Sequence, residues 1–154
     1  MEEALYNASE ELKRVDHLIY VSLKYTRTCD IFKSIIQRLI NAFDFALEAI
    51  LKKLEEDKKI YEIPQQPAMK CSTIRQHIED EELGKIIDFY LLLRQLNRAE
   101  FTRAREFRRH VTMTVVIQGE TMEINIDNIT EFYKRTKEHL EHMKTFSMPG
   151  ETKE

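Results

Sequence analysis

From Glu2 to Asp57 the chain contains neither glycine nor proline. Those are the residues that most readily turn a strand or break a helix, so the opening part of the sequence is committed to long helices. Leu5, Ala8, Leu12, Val15 and Ile19 recur at steps of three and four, which places them on one helix face. A second stripe runs through Phe32, Ile35, Ile36, Leu39, Phe43, Leu47, Ile50 and Leu54. Between the stripes, Lys24-Tyr25-Thr26-Arg27-Thr28 favours a turn, with Thr28 or Asp30 as cap of the next helix. Neither stripe is stable in water, so a helical hairpin is expected, with one bent helix as the alternative.

Lys58 to Cys71, carrying Pro64 and Pro67, reads as a loop, and Thr73-x-x-Gln76 as a capping box. A stronger helix start follows at Asp80-Glu81-Glu82, where acidic side chains suit the positive end of the helix dipole. That helix runs through Leu83 and is read as reaching His110, with Asn97 its weakest point. The period then changes. Met113, Val115 and Ile117 alternate with Thr112, Thr114 and Val116; Met122, Ile124 and Ile126 alternate with Thr121, Glu123 and Asn125. With Gln118-Gly119-Glu120 between the runs, this is a β-hairpin pattern. Asn128-x-x-Glu131 caps a final helix with Ile129, Phe132, Tyr133, Leu140 and Met143 inward. The expected fold is mainly α: an antiparallel bundle of four to five helices with one β-hairpin before the last. Residues 1–147 form a single domain of ordinary size and 148–154 a disordered tail.

Composition narrows the function classes. With 42% hydrophobic and 33% charged residues the chain is neither disordered nor a membrane protein. No segment approaches the ~20 apolar residues of a membrane span, and Met1-Glu2-Glu3 does not open a signal peptide. Cys29, near a helix start, and Cys71, in the loop, have no ligand-like spacing and read as idle thiols. A cytoplasmic location is therefore expected. There is no phosphate-binding glycine loop and no nucleophile elbow. His139 and His142, beside Glu138 and Glu141, have the spacing to hold a metal at a helix surface, but in so charged a helix a solvated face is the plainer reading. His17 and His77 stand alone. No metal or other cofactor is expected.

A net charge of −3 means that nucleic-acid binding needs a local patch. One exists between Arg94 and His110. On a continuous helix Arg94, Arg98, Arg105, Arg108 and Arg109 fall within about one third of the circumference. Such a face suits phosphates, because guanidinium forks pair with their oxygens; the alternative is that these arginines pair with Asp80, Glu81 and Glu82. Phe89, Leu92, Leu96, Ala99 and Phe107 form a second apolar stripe, distinct from that of Leu83, Ile87 and Tyr90. A helix apolar on two sides is central to a bundle or shared with a partner. Arg103 and His110 lie on the second stripe, either as a functional pair or as a snorkelling arginine and a histidine at a helix C-terminus.

Arg105-Glu106-Phe107-Arg108-Arg109-His110 has a four-residue Arg-to-His spacing, and Arg103 to His110 a six-residue one. In this and in its order of elements the chain resembles the HEPN family (higher eukaryote and prokaryote nucleotide-binding domains). Those are antiparallel helical bundles, often dimeric, with an Arg-(x4 to x6)-His motif late in the chain. Glu106 and Ala104 follow the two arginines where catalytic members often carry Asn, Asp or His. The resemblance implies a homodimer and metal-independent RNA cleavage at a site shared by two protomers. His110 would move a ribose proton, Arg103 or Arg105 would stabilise the phosphorane, and Arg94, Arg98, Arg108 and Arg109 would hold RNA or nucleotide phosphates. Arg103 is favoured over Arg105 because on a continuous helix it shares a face with His110. The alternative is an inactive interaction module partnering a minimal nucleotidyltransferase. A DNA-binding regulator using the arginine face is a third reading.

Overall fold

The computed structural model describes residues 2–148, so all but Met148 of the expected tail lies outside the described residues. Helix α1 (Glu2–His17) runs through a π-helical turn (Leu18–Ser22) into the short α2 (Leu23–Tyr25) as one rod. Thr26 leaves helical geometry, and α3 (Cys29–Glu56) begins after the turn, with Thr28 Oγ1 accepting from the Ile31 amide at 3.4 Å. The chain thus forms a hairpin, and Thr28 is the cap. α3 is the core helix: Phe32, Ile35, Ile36, Leu39, Phe43 and Ile50 are all fully buried. α1 packs along it, as do α5 (Glu81–Arg98) and α6 (Ile126–Ser147).

The linker differs from expectation. α4 (Pro67–His77) begins six residues before Thr73, with Pro67 in its first turn, where the missing N–H removes no hydrogen bond. Thr73 and Gln76 lie inside it, and so does Cys71. Burial pushes the thiols of Cys71 and Cys29 up to about 11, so both are protonated at neutral pH. A thiol-specific reagent at pH 8 should label neither cysteine in the native protein and both after unfolding.

α5 starts where the acidic run Asp80-Glu81-Glu82 placed it, and Asp80 is its cap, its Oδ2 accepting from the Leu83 amide at 2.8 Å. It also meets His142 Nε2 at 2.8 Å, so its carboxyl is held below the ordinary range, by His142 first and the Leu83 amide second. His139 is half-enclosed by the rings of Phe43 and Phe89 at 6.3 and 5.5 Å. Burial lowers its pKa, only partly opposed by Glu82. These two histidines therefore face α5, and the solvated-face reading is overturned.

The largest correction concerns the end of α5. The helix stops at Arg98, and Phe101–Ala104 form strand β1. The Asn97 carbonyl accepts from the Lys33 ammonium, and Asn97 Nδ2 donates to Gln37 Oε1 at 2.8 Å. The last turn is thereby fastened to α3. β1 pairs antiparallel with β2 (Thr112–Ile117), which pairs with β3 (Glu120–Ile124), giving a three-stranded sheet instead of a lone hairpin. Gln118 and Gly119 both have positive φ (53° and 82°), as a tight two-residue hairpin turn requires. Met113, Val115 and Ile124 face the bundle with no exposure. Phe89 and Leu96 of the second apolar stripe are buried within the chain: Phe89 meets Phe132 of α6 at 5.6 Å, and β2 lies against the helix, while Phe107 lies beyond the helix end and is exposed. α6 starts earlier than expected, with Asn125 as cap in a reciprocal box with Asn128.

Candidate functional site

Because α5 ends at Arg98, the arginines do not share one helical face. Arg103 lies in β1, while Arg105, Arg108, Arg109 and His110 lie in the β1–β2 loop. The loop is short and tightly folded. Arg105 and Phe107 both adopt positive φ (56° and 67°), an unfavourable region for side-chain-bearing residues. Carbonyl contacts stabilise the turns: the Arg108 amide donates to Arg105 O at 3.2 Å, and the Val111 amide to Arg108 O at 3.1 Å.

The loop is anchored on the start of α3. Glu106 Oε2 accepts from the Cys29 amide at 2.9 Å, supplying a first-turn donor with a partner the helix itself lacks. The Phe107 amide donates to Arg27 O at 2.6 Å, and Cys29 Sγ donates to Thr112 O at 3.4 Å. Arg103 spans the junction, reaching Glu106 and Asp30, each at 3.1 Å. Arg103 is thus a brace for the loop, a role that helical periodicity does not show.

Glu106 is held below the ordinary carboxyl value, by the Cys29 amide first and with help from Arg103. A depressed carboxyl stabilises the fold above its unfolded value of about 4.5, and that contribution disappears as pH falls through the lower folded value. Hydrogen exchange at the Cys29 amide should therefore accelerate on acidification below about 4.5. In Glu106→Gln it should be fast and pH-flat once intrinsic exchange is factored out; slow exchange in that variant would show that Glu106 is not the anchor.

Arg105, Arg109 and His110 line one solvent-open cavity of about 480 Å³, together with Thr112, Glu123, Asn125, Ile126 and Asp127. It lies between the loop, the sheet and the start of α6. Of the two spacings, the four-residue pair Arg105 and His110 is brought together, and Arg103 is not among the lining residues. Arg94 and Arg98 line a different cavity of about 400 Å³ with Gln66, Pro67, Ala68, Leu91 and Gln95. Arg108 lines neither.

Among the described residues no carboxylate lies within ion-pair distance of Arg94, Arg98, Arg105, Arg108 or Arg109. Asp80 and Glu82 face His142 and His139 instead. The alternative that these arginines pair with the acidic start of α5 is therefore not met among the described residues. Arg94 instead stacks over Tyr90 at 5.8 Å, near Asp44, whose carboxyl is raised by burial and accepts from Tyr90 at 2.5 Å.

The cavity's own charges are mixed: two guanidiniums and an imidazole face two carboxylates, Glu123 and Asp127. Neither acid was legible as part of a site: Glu123 stands on the polar side of a strand, and Asp127 precedes the residues that read as the helix start. No group of three or more His, Cys, Asp or Glu among the described residues is arranged to hold a metal ion. No described helix is long and apolar enough to cross a membrane. The chain matches no family model, no curated protein and no solved structure.

Proposed function

We propose that the domain is a HEPN-like endoribonuclease that cleaves RNA without a metal at the Arg105–His110 cavity. The observation that carries this reading is the convergence of Arg105, Arg109 and His110 on one polar cavity, with neither arginine in an ion pair among the described residues. Unpaired guanidiniums favour phosphate, which they grip with parallel hydrogen bonds. An imidazole beside that phosphate is placed to pass a proton to or from a reacting oxygen.

In this reading His110 takes the proton of a ribose 2′-hydroxyl as that oxygen attacks phosphorus. The bond from phosphorus to the 5′-oxygen breaks, leaving a cyclic 2′,3′-phosphate. The departing 5′-oxygen receives a proton from the imidazolium or from water. Arg105 and Arg109 hold the charge that builds on the non-bridging oxygens. Thr112, at the cavity wall, donates its hydroxyl to the His110 carbonyl and so steadies the loop beside the imidazole. Arg108, with Arg94 and Arg98 in their separate cavity, would hold flanking phosphates. The motif sits on a loop instead of a helix, so it is the tight turn at Arg105, not helical periodicity, that sets its orientation.

The test is incubation of pure protein with end-labelled RNA in excess chelator. Fragments ending in cyclic phosphate support the reading; intact RNA sinks it.

A second reading, an inactive module that forms a homodimer or partners a minimal nucleotidyltransferase, is favoured by a different feature. Leu5, Ala8, Leu12, Ala46 and Leu140 line an apolar groove of about 270 Å³ between α1, α3 and α6. That groove replaces the α5 stripe, whose Phe89 and Leu96 are buried, as the surface for a partner. An uncleaving dimer on a sizing column would carry this reading instead.

A further inference from the structure

The loop that carries the cavity's cations also holds an aromatic ring out in water. Phe107 is 73% exposed, and Tyr25, two residues before Arg27, is 82% exposed. Neither ring is a frayed end. The Phe107 amide is tied to the Arg27 carbonyl, and the preceding residue, Glu106, is tied to the Cys29 amide and to Arg103. At a φ of 67°, Phe107 occupies a conformation unfavourable for a bulky L-residue. The fold therefore fixes an exposed phenyl ring instead of letting it turn inward.

The surroundings of that ring are cationic. Arg105, Arg108 and Arg109 flank it in the loop without ion pairs among the described residues. Arg27 is partly buried, and its Nε has no hydrogen-bond partner among the described residues. The nearest carboxylates in the loop anchor, Asp30 and Glu106, are both engaged by Arg103. Glu123 and Asp127 lie on the cavity wall. Isolated aromatics set among unpaired arginines do not make the contiguous apolar patch that a protein partner buries. They do match a strand that alternates flat bases with phosphates.

We propose that Phe107, with Arg27 beside it, stacks an unpaired base of single-stranded RNA whose backbone enters the Arg105–His110 cavity. The inference rests on the ribonuclease reading for the identity of the polymer and adds the residue that recognises it: a fixed ring that holds an unpaired base. In an A-form duplex the base faces are stacked on one another and cannot reach a side-chain ring, whereas a loop or tail can splay a base onto it. Stacking is tolerant of sequence, so cleavage should follow exposure of bases more than their identity.

The chain has no tryptophan, so Phe107→Trp introduces a lone fluorescent reporter at the platform. The probe is 2′-O-methyl oligoadenylate, which lacks the nucleophilic hydroxyl and stays intact, used alone and as a duplex with its complement. The single strand should quench the Phe107→Trp fluorescence, and the duplex should not. Phe107→Leu, measured by anisotropy of the labelled probe, should weaken single-strand binding by about 5- to 150-fold with unchanged thermal melting. Wild-type affinity in Phe107→Leu, or duplex binding as tight as single-strand binding, would overturn the proposal. The two readings fail separately. If His110→Ala still cleaves while the Phe107→Trp signal is quenched, the catalytic reading falls and the stacking platform stands. If His110→Ala is inert and Phe107→Leu binds normally, the platform falls and the catalytic cavity stands.

Discussion

His110→Ala is expected to lower RNA cleavage in chelator by about 10²- to 10⁴-fold, the usual cost of removing a positioned proton-transfer group. The melting temperature should not move. The imidazole is exposed, and the contact His110 makes with the fold is through its backbone, whose carbonyl accepts from Thr112 Oγ1 at 2.9 Å. Alanine keeps that carbonyl, so the variant isolates the side chain. Arg105→Gln should cost about 10²- to 10³-fold in kcat through the lost charge at phosphorus. It leaves the positive φ of position 105 occupied by an ordinary L-residue, as before.

Arg103→Gln is the contrasting case. It removes a brace to Asp30 and Glu106 but no group from the cavity. Its cleavage loss should be smaller than that of Arg105→Gln and accompanied by faster exchange at the Cys29 amide. Wild-type cleavage by His110→Ala would remove the catalytic assignment. A larger loss in Arg103→Gln than in Arg105→Gln would return the role to the six-residue spacing.

The reversal between Arg103 and Arg105 shows where sequence periodicity stops being informative. The hairpin of α1 and α3 was readable because its stripes are long and locally determined; Thr28 as a cap and Asp80 as a helix start were readable because both act within a first turn. The β2–β3 turn was readable for the same reason. β1 was not. Phe101-Thr102-Arg103-Ala104 is too short to show a period, and its arginine and alanine are good helix formers. Its strand geometry comes from pairing with Thr112–Val115, a non-local partner that outweighs weak local preference. The one local warning was Asn97, the residue whose backbone and side chain fasten the helix end to α3.

α4 was missed because Pro67 was read as a breaker, although a first-turn proline starts a helix, and because few of its residues face the core. His139 and His142 were misplaced for the opposite reason. The charge of α6 hid a face on which the two imidazoles turn toward α5. Charge density along a helix does not say which residues lie under a neighbour. The helical framework was thus legible, while the site, built from a loop fixed by long-range contacts, was legible only as a list of residue types.

Phe43→Ala is expected to destabilise the protein by about 3–5 kcal/mol, the range for deleting a buried phenyl ring from a packed interior. Phe43 has no exposure and is the junction of three helices. Its ring meets Phe89 and Tyr90 of α5, each at 6.0 Å, and His139 of α6 at 6.3 Å. The cost combines lost transfer free energy with a cavity that the rigid α3 cannot close, since its neighbours Leu39, Leu47 and Ile50 are themselves buried. Against a total stability of about 5–15 kcal/mol for a domain of ordinary size, that loss is a large fraction. Urea unfolding should show a lower midpoint with an unchanged slope, because the surface exposed on unfolding hardly changes. A loss below about 1 kcal/mol would mean that α5 and α6 do not converge on Phe43, and the positions of β2 and the cavity, which follow from where α5 ends, would have to be redrawn. The comparison with Phe107 makes the result specific. The same ring chemistry, enclosed at position 43 and 73% exposed at position 107, should govern folding in one case and ligand binding in the other.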